Sequence, residues 1–129
     1  MLYAILCYHD EAVVGSWSKQ EDEAVIAKRR VVTKKLATQG KLGPVVRLMP
    51  TTAAVTIRSG REPLVIDGPF AETKEQLLGF YVVDCANLDE AIDTARRIKA
   101  DEKGGAFEVR PLRLFEPNQT EFDKEAAAT

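Results

Sequence analysis

Histidine and cysteine are scarce in this chain of 129 residues: His9 is the one histidine, and Cys7 and Cys85 are the two cysteines. A single imidazole with no thiol at ligand spacing argues against a zinc site. The cysteines make no disulfide framework either. Each sits in a strand-like apolar run and reads as a small buried hydrophobe in a reducing compartment. No phosphate-binding glycine loop, dinucleotide fingerprint, nucleophile-elbow serine or HExxH helix occurs, so no tightly bound cofactor is indicated. An excess of charge is missing too. The 18 Lys+Arg against 20 Asp+Glu leave a formal charge of -2, which disfavours a nucleic-acid surface. The longest N-terminal apolar run, Leu2 to Tyr8, falls far short of the ~20 residues that span a bilayer and carries no basic leader or cleavage site. The expectation is a cytoplasmic protein with no membrane or nucleic-acid partner, for which the glycosylation pattern Asn118-Gln119-Thr120 is idle.

What is present suffices for one packed domain. With 45% hydrophobic and 29% charged residues, the chain is globular, and at this length it buries about two thirds of its unfolded surface. Leu2 to Tyr8 is apolar on both alternating faces and reads as a central strand. After His9-Asp10-Glu11 and a loop, Ser18-Lys19-Gln20-Glu21 supplies a capping box. The helix it opens runs to Gly40 with Val25, Val32 and Leu36 on one face. Lys41 to Pro50 is a short irregular strand containing Gly43-Pro44. Residues 53–58 and 63–67 are strands flanking the turn Ser59-Gly60-Arg61-Glu62. Leu77 to Cys85 is again apolar on both faces. Asn87 then caps a helix with Leu88, Ala91, Ile92 and Ala95 on one stripe and Gly104-Gly105 at its end. Ala106 to Leu114 is the last strand, and a polar tail over 116–129 follows the domain of residues 1–115.

This order predicts an α+β fold: a ferredoxin-like sandwich with an added hairpin, both helices lying on one face of a mainly antiparallel sheet. Two helices cover one face only, whereas two of the strands are apolar on both. A second copy of the chain is the economical cover, so a homodimer with its sheets face to face is expected.

Some residues are placed to carry chemistry. Asp67 stands at a strand end before the rigid turn Gly68-Pro69. There a carboxylate either is desolvated and tuned for proton transfer or accepts hydrogen bonds from its own turn. Glu108 and Arg110, two apart in a strand, share a face and either pair or line a cleft. His9, just past the first strand, suits general acid–base work near neutrality. Arg29 falls between Val25 and Val32 on the stripe facing the sheet, where it either pairs with a carboxylate at the helix edge or clamps an anion. Asp67, Arg110 and His9 are therefore the candidate catalytic residues. Arg29, Glu108, Tyr81, Pro69 and Phe70 are the candidate ligand contacts.

The segment Asp67-Gly68-Pro69-Phe70-Ala71-Glu72-Thr73-Lys74-Glu75 resembles the signature of the DGPF family within the YciI-like (YCII-related) proteins. The likeness continues through Leu78-Gly79-Phe80-Tyr81, Leu88-Asp89-Glu90-Ala91 and Glu108-Val109-Arg110-Pro111, and covers residues 1–115. The resemblance implies a ferredoxin-like subunit assembled as a dimeric α+β barrel, with a cleft for small-molecule chemistry but no assigned reaction. YciI relatives pair a histidine on the first helix with an aspartate. The matching position here is Arg29, so this chain departs from that pair. Two functions stay open. One is a cofactor-independent small-molecule enzyme or binder with a polar cleft near the dimer seam, where an isomerisation, elimination or hydrolysis would need one carboxylate and one cation. The other, implied by the family's association with alternative sigma factors, is a non-catalytic interaction or regulatory module whose partner is a sigma-factor-related protein.

Overall fold

The computed structural model describes residues 1–62 and 64–117. Strand β1 (Leu2–His9) leads into a short helix, α1 (Glu11–Gly15), and then into the long helix α2 (Lys19–Thr38). Strand β2 (Leu42–Arg47) and a 3₁₀ turn at Thr51–Ala53 precede the hairpin strands β3 (Val55–Arg58) and β4 (Leu64–Asp67). Strand β5 (Gln76–Asp84), helix α3 (Leu88–Lys99) and strand β6 (Ala106–Pro111) complete the order. Among the described residues no helix is long and apolar enough to cross a membrane.

Four strands form one antiparallel sheet in the order β2-β5-β1-β6, while β3 and β4 make a separate two-stranded sheet. With β1 between β5 and β6 and both long helices in crossover positions, the arrangement is consistent with a ferredoxin-like fold carrying an inserted hairpin. Across the centre, Ile5 lies opposite Tyr81 and Val109, and Tyr3 opposite Val83. These side chains meet Leu36 of α2 and Ala91, Ala95 and Ile98 of α3 in the core, where Ile5 and Val83 are fully buried. The alternate residues, Leu2, Ala4 and Leu6 of β1 with Phe80 and Val82 of β5, point away from those helices. Glu108 and Arg110 share that side, opposite Leu6 and Ala4.

Some boundaries differ from the sequence reading, each for a local reason. The stretch before Ser18 contains helix α1, because the Asp10 carboxylate caps it by accepting from the Ala12 N–H at 2.9 Å. The strand expected from residue 53 begins at Val55, since the 3₁₀ turn takes Thr51–Ala53. Helix α3 stops at Lys99 and not at Gly104-Gly105, because Ala100 turns to φ 47° and ψ −124°. Its buried stripe is Ala91, Thr94, Ala95 and Ile98, leaving Leu88 exposed at its first turn. Thr94 is tolerated there because its hydroxyl donates to the Glu90 carbonyl at 2.8 Å. The last strand ends at Pro111 and not Leu114, where β1 runs out of residues to pair with it. Pro44 falls within the register shift of β2, an edge strand that can do without its N–H. Pro63 and residues 118–129, which include the Asn118 pattern and most of the expected tail, lie outside the described residues.

The close approach of β2 to β5 depends on Gly79, whose added Cβ would run into the Val46 carbonyl and the Arg47 backbone. Both obstacles are main chain, so neither can swing away. Gly79→Ala is expected to lower stability by about 2 kcal/mol or more, the scale of overpacking a rigid site. Urea denaturation measures it, and an unchanged midpoint would mean that β2 moves freely.

Candidate functional site

A cavity of about 380 Å³ opens between residues 22–33 of α2, the sheet and the loop following α3, a volume that suits a small molecule. Its helical wall is Asp22, Val25, Ile26, Arg29 and Thr33, positions that helical periodicity stacks on one face. Val14 of α1 and Trp17 close one side, β2 and β5 contribute Val45, Val46 and the Leu78–Tyr81 stretch, and Phe107 of β6 joins them. The pairing of β1 with β5 shifts register between Cys7 and Tyr8, near the end of β1, and both residues reach the cavity.

Arg29 organises the polar end. Its Nε donates to Glu102 Oε2 at 2.8 Å and its Nη2 to Glu102 Oε1 at 2.6 Å, a two-pronged ion pair largely out of solvent. Nη1 donates to Tyr81 Oη at 3.5 Å, and the guanidinium lies over the Phe107 ring, 5.1 Å from its centre. Burial disfavours the charge, but the bonds to Glu102 and Tyr81 outweigh it and hold Arg29 firmly protonated. Glu102 is available because α3 ends early. Lys99 Nζ donates to the carbonyls of Glu102 and Gly104 at 3.1 and 2.8 Å, drawing the loop 100–105 under the cavity.

A second pair spans the other side of the cavity wall. Asp22, seven residues before Arg29 on the same helix, accepts from Arg47 at the end of β2 at 2.7 and 3.2 Å. These hydrogen bonds hold the Asp22 carboxyl below the ordinary carboxylate range. The stabilisation is therefore present at neutral pH and is lost as acid protonates the group. His9 is engaged at both ring nitrogens. Nδ1 accepts from the Asp10 N–H at 2.8 Å, which puts the proton on Nε2, facing the Lys103 carbonyl at 3.2 Å. Trp17 stacks edge-on against the ring with centroids 5.7 Å apart. Gly105 must be glycine to pass it, having φ +73° and no room for a Cβ between Tyr8 O and the imidazole. Cys7 lies on the floor, where burial pushes its thiol up to about 11.

Of the residues singled out from the sequence, His9, Arg29 and Tyr81 come together on the cavity wall. Asp67, Pro69, Phe70, Glu108 and Arg110 do not. Among the described residues this cavity takes in neither Asp67 nor Arg110: the hairpin forms its own sheet, while β6 is an edge of the other. Asp67 is exposed at the end of β4, and Phe70, 71% exposed, packs against the Arg58 guanidinium at 4.9 Å. Glu108 and Arg110 pair with each other at 2.9 Å on the sheet face away from the helices. Sequence reasoning missed Glu102, Phe107, Trp17 and the Asp22–Arg47 pair. Phe107 was within reach, since the alternation that put Glu108 and Arg110 on one face put Phe107 and Val109 on the other. Glu102 was not, for Asp101-Glu102-Lys103 reads as a solvated loop.

A family model described as YCII-related domain matches residues 1–116. An uncharacterized protein of Rhizobium meliloti (strain 1021) is 59% identical over 121 residues, which cover 92% of this chain and 98% of that protein.

Removing one partner of the Arg29–Glu102 pair strands the other away from water. Arg29→Met or Glu102→Leu alone should cost about 3 kcal/mol, while the double variant should recover most of the loss. A thermal or denaturant double-mutant cycle reads this, and additive losses would mean that the two residues act independently. For Cys7, the rise from the ordinary value of 9.0 to about 11 favours the neutral thiol in the folded state. Its contribution is full below pH 9.0 and fades as the pH passes about 11. At pH 8 native Cys7 should react with a thiol reagent about a hundredfold more slowly than in urea. Fast native labelling would show an open, activated thiol.

Proposed function

The chain belongs to the YCII-related domain family, and on that premise we propose that it is a cofactor-independent small-molecule enzyme or binder working through the cavity under α2. One observation carries this reading: the cavity combines an apolar wall with a convergent polar group, Arg29–Glu102–Tyr81, held in place by bonds within the chain. Pre-formed concavity with few, fixed polar groups is what small-molecule recognition requires. Binding is favoured over proton abstraction as the primary act. Both carboxylates of the wall, Asp22 and Glu102, already accept from arginines, and His9 has its Nδ1 lone pair engaged. Glu102 would become a base only after a ligand drew Arg29 away from it. Asp67 and Arg110 enter this reading only through an assembled dimer.

The hairpin supports such an assembly. Val55, Ile57, Leu64, Val65 and Ile66 are all exposed on β3 and β4, and a two-stranded apolar ribbon is marginal in water without cover. We propose a homodimer, with an α+β barrel as its form, that buries the hairpin and the sheet face turned away from the helices. The string Asp67-Gly68-Pro69-Phe70 supports placing the chain in the DGPF branch, where Gly68 at φ +105° accepts from the Thr56 hydroxyl and closes the hairpin. A cytoplasmic location without nucleic-acid partners accords with its composition. The same exposed ribbon is what favours the second reading, a non-catalytic module that docks on a protein related to sigma factors.

Trp17, the one tryptophan, lines the cavity and makes the test direct. A panel of small acids, amines and neutral compounds should yield some that shift Trp17 emission and raise the melting temperature together. Light scattering should give twice the 14.3 kDa of the chain. A panel without any response, alongside a hairpin that captures a purified sigma factor, would support the interaction module instead.

A further inference from the structure

The cavity is positive within an acidic protein. The chain carries a formal charge of -2, yet the cavity is lined by Arg29, Arg30, Arg47 and Lys99 against Asp22 and Glu102. Two of the cations are matched by those two carboxylates. Lys99 is held by carbonyls, which satisfy its donors without cancelling its charge. Arg30 is exposed and donates to no side chain or carbonyl among the described residues beyond its helix. Net positive charge against a low-dielectric wall draws anions.

Donors are left over at the buried end as well. A guanidinium has five N–H groups, and Arg29 commits three of them, to the two Glu102 oxygens and to Tyr81. One N–H on each terminal nitrogen is unspent. Tyr81 is 8% exposed and its oxygen accepts from Arg29, so its own proton is free and has no acceptor among the described residues. A buried hydroxyl donor beside a guanidinium N–H is a two-point fit for an oxyanion. Val25, Ile26, Val45 and Phe107 give the cavity an apolar stretch of wall beside these donors.

We infer that the cavity takes small carboxylates with an apolar body, the carboxylate seated on Tyr81 Oη and the unspent N–H groups of Arg29, and Arg30 supplying charge at the rim. This rests on the proposed role of the cavity and names the class of molecule it admits. Glu102 acts in it as a positioning residue, fixing the plane of the guanidinium.

The test uses the full chain and three probes of one shape: 3-phenylpropionate, 3-phenylpropionamide and 3-phenylpropylamine, titrated by Trp17 emission and thermal shift. The acid should bind about tenfold or more tightly than the amide, because a hydrogen bond to a charged group is stronger than to a neutral one. The amine should not bind. Tyr81→Phe should weaken the acid about tenfold. Arg30→Gln, at an exposed position that does not endanger folding, should weaken the acid and leave the amide unchanged. An amide or amine that binds as well as the acid overturns the inference, as does an acid affinity that neither substitution lowers. If other compounds of the wider panel bind while the acid does not, the carboxylate class is wrong and the cavity's role stands. If nothing binds, both fall.

Discussion

The two-pronged bond between Arg29 and Glu102 is the constraint on which the site depends. It joins the middle of α2 to the loop between α3 and β6, residues 73 apart in sequence, and it does so beneath a cavity and not within a packed core. An arginine on the sheet-facing side of a helix is costly unless its donors are met. Here the loop supplies the acceptors because α3 terminates at Lys99 and Ala100 bends the chain at positive φ. A non-glycine residue held in that region stores about 1–3 kcal/mol of strain, which the surrounding bonds must hold. The bonds from Lys99 to the loop carbonyls and from Arg29 to Glu102 are those restraints.

The same helix face carries Asp22 two turns earlier, with its sign and its partner's reversed: acid on the helix and Arg47 on β2, then base on the helix and Glu102 on the loop. Between the two pairs the helix offers Val25 and Ile26. Further along, Thr33 and Leu36 are buried against the sheet. One helix thus serves two environments, roofing the cavity along residues 22–33 and closing the core with Val32 and Leu36. The ion pairs hold that roof where apolar packing alone would favour collapse onto the sheet.

The two sheet faces and the hairpin divide the remaining labour. The face toward the helices is filled by Ile5, Val83 and their neighbours, and the opposite face presents Leu2, Leu6 and Phe80 beside the Glu108–Arg110 pair. The hairpin is the least buried part of the described chain, with apolar side chains exposed along both strands. Asp67, Pro69 and Phe70 therefore lie on an arm and its exit, apart from the cavity lining.

The sequence by itself determined the α+β class, the capped starts of α2 and α3, the hairpin and two strands apolar on both faces. Each of these is a local property, written in side chains a few residues apart. It also marked Arg29, because a cation in an apolar stripe violates the helical pattern. Only the tertiary structure decided that Arg29 meets Glu102, that His9 and Tyr81 share its cavity, and that Asp67 and Arg110 lie outside its lining. Those outcomes follow from how far α3 runs before it turns and from the hairpin standing as a sheet of its own. Neither is encoded in a local period, since a loop of charged residues looks the same whether it faces water or a buried guanidinium.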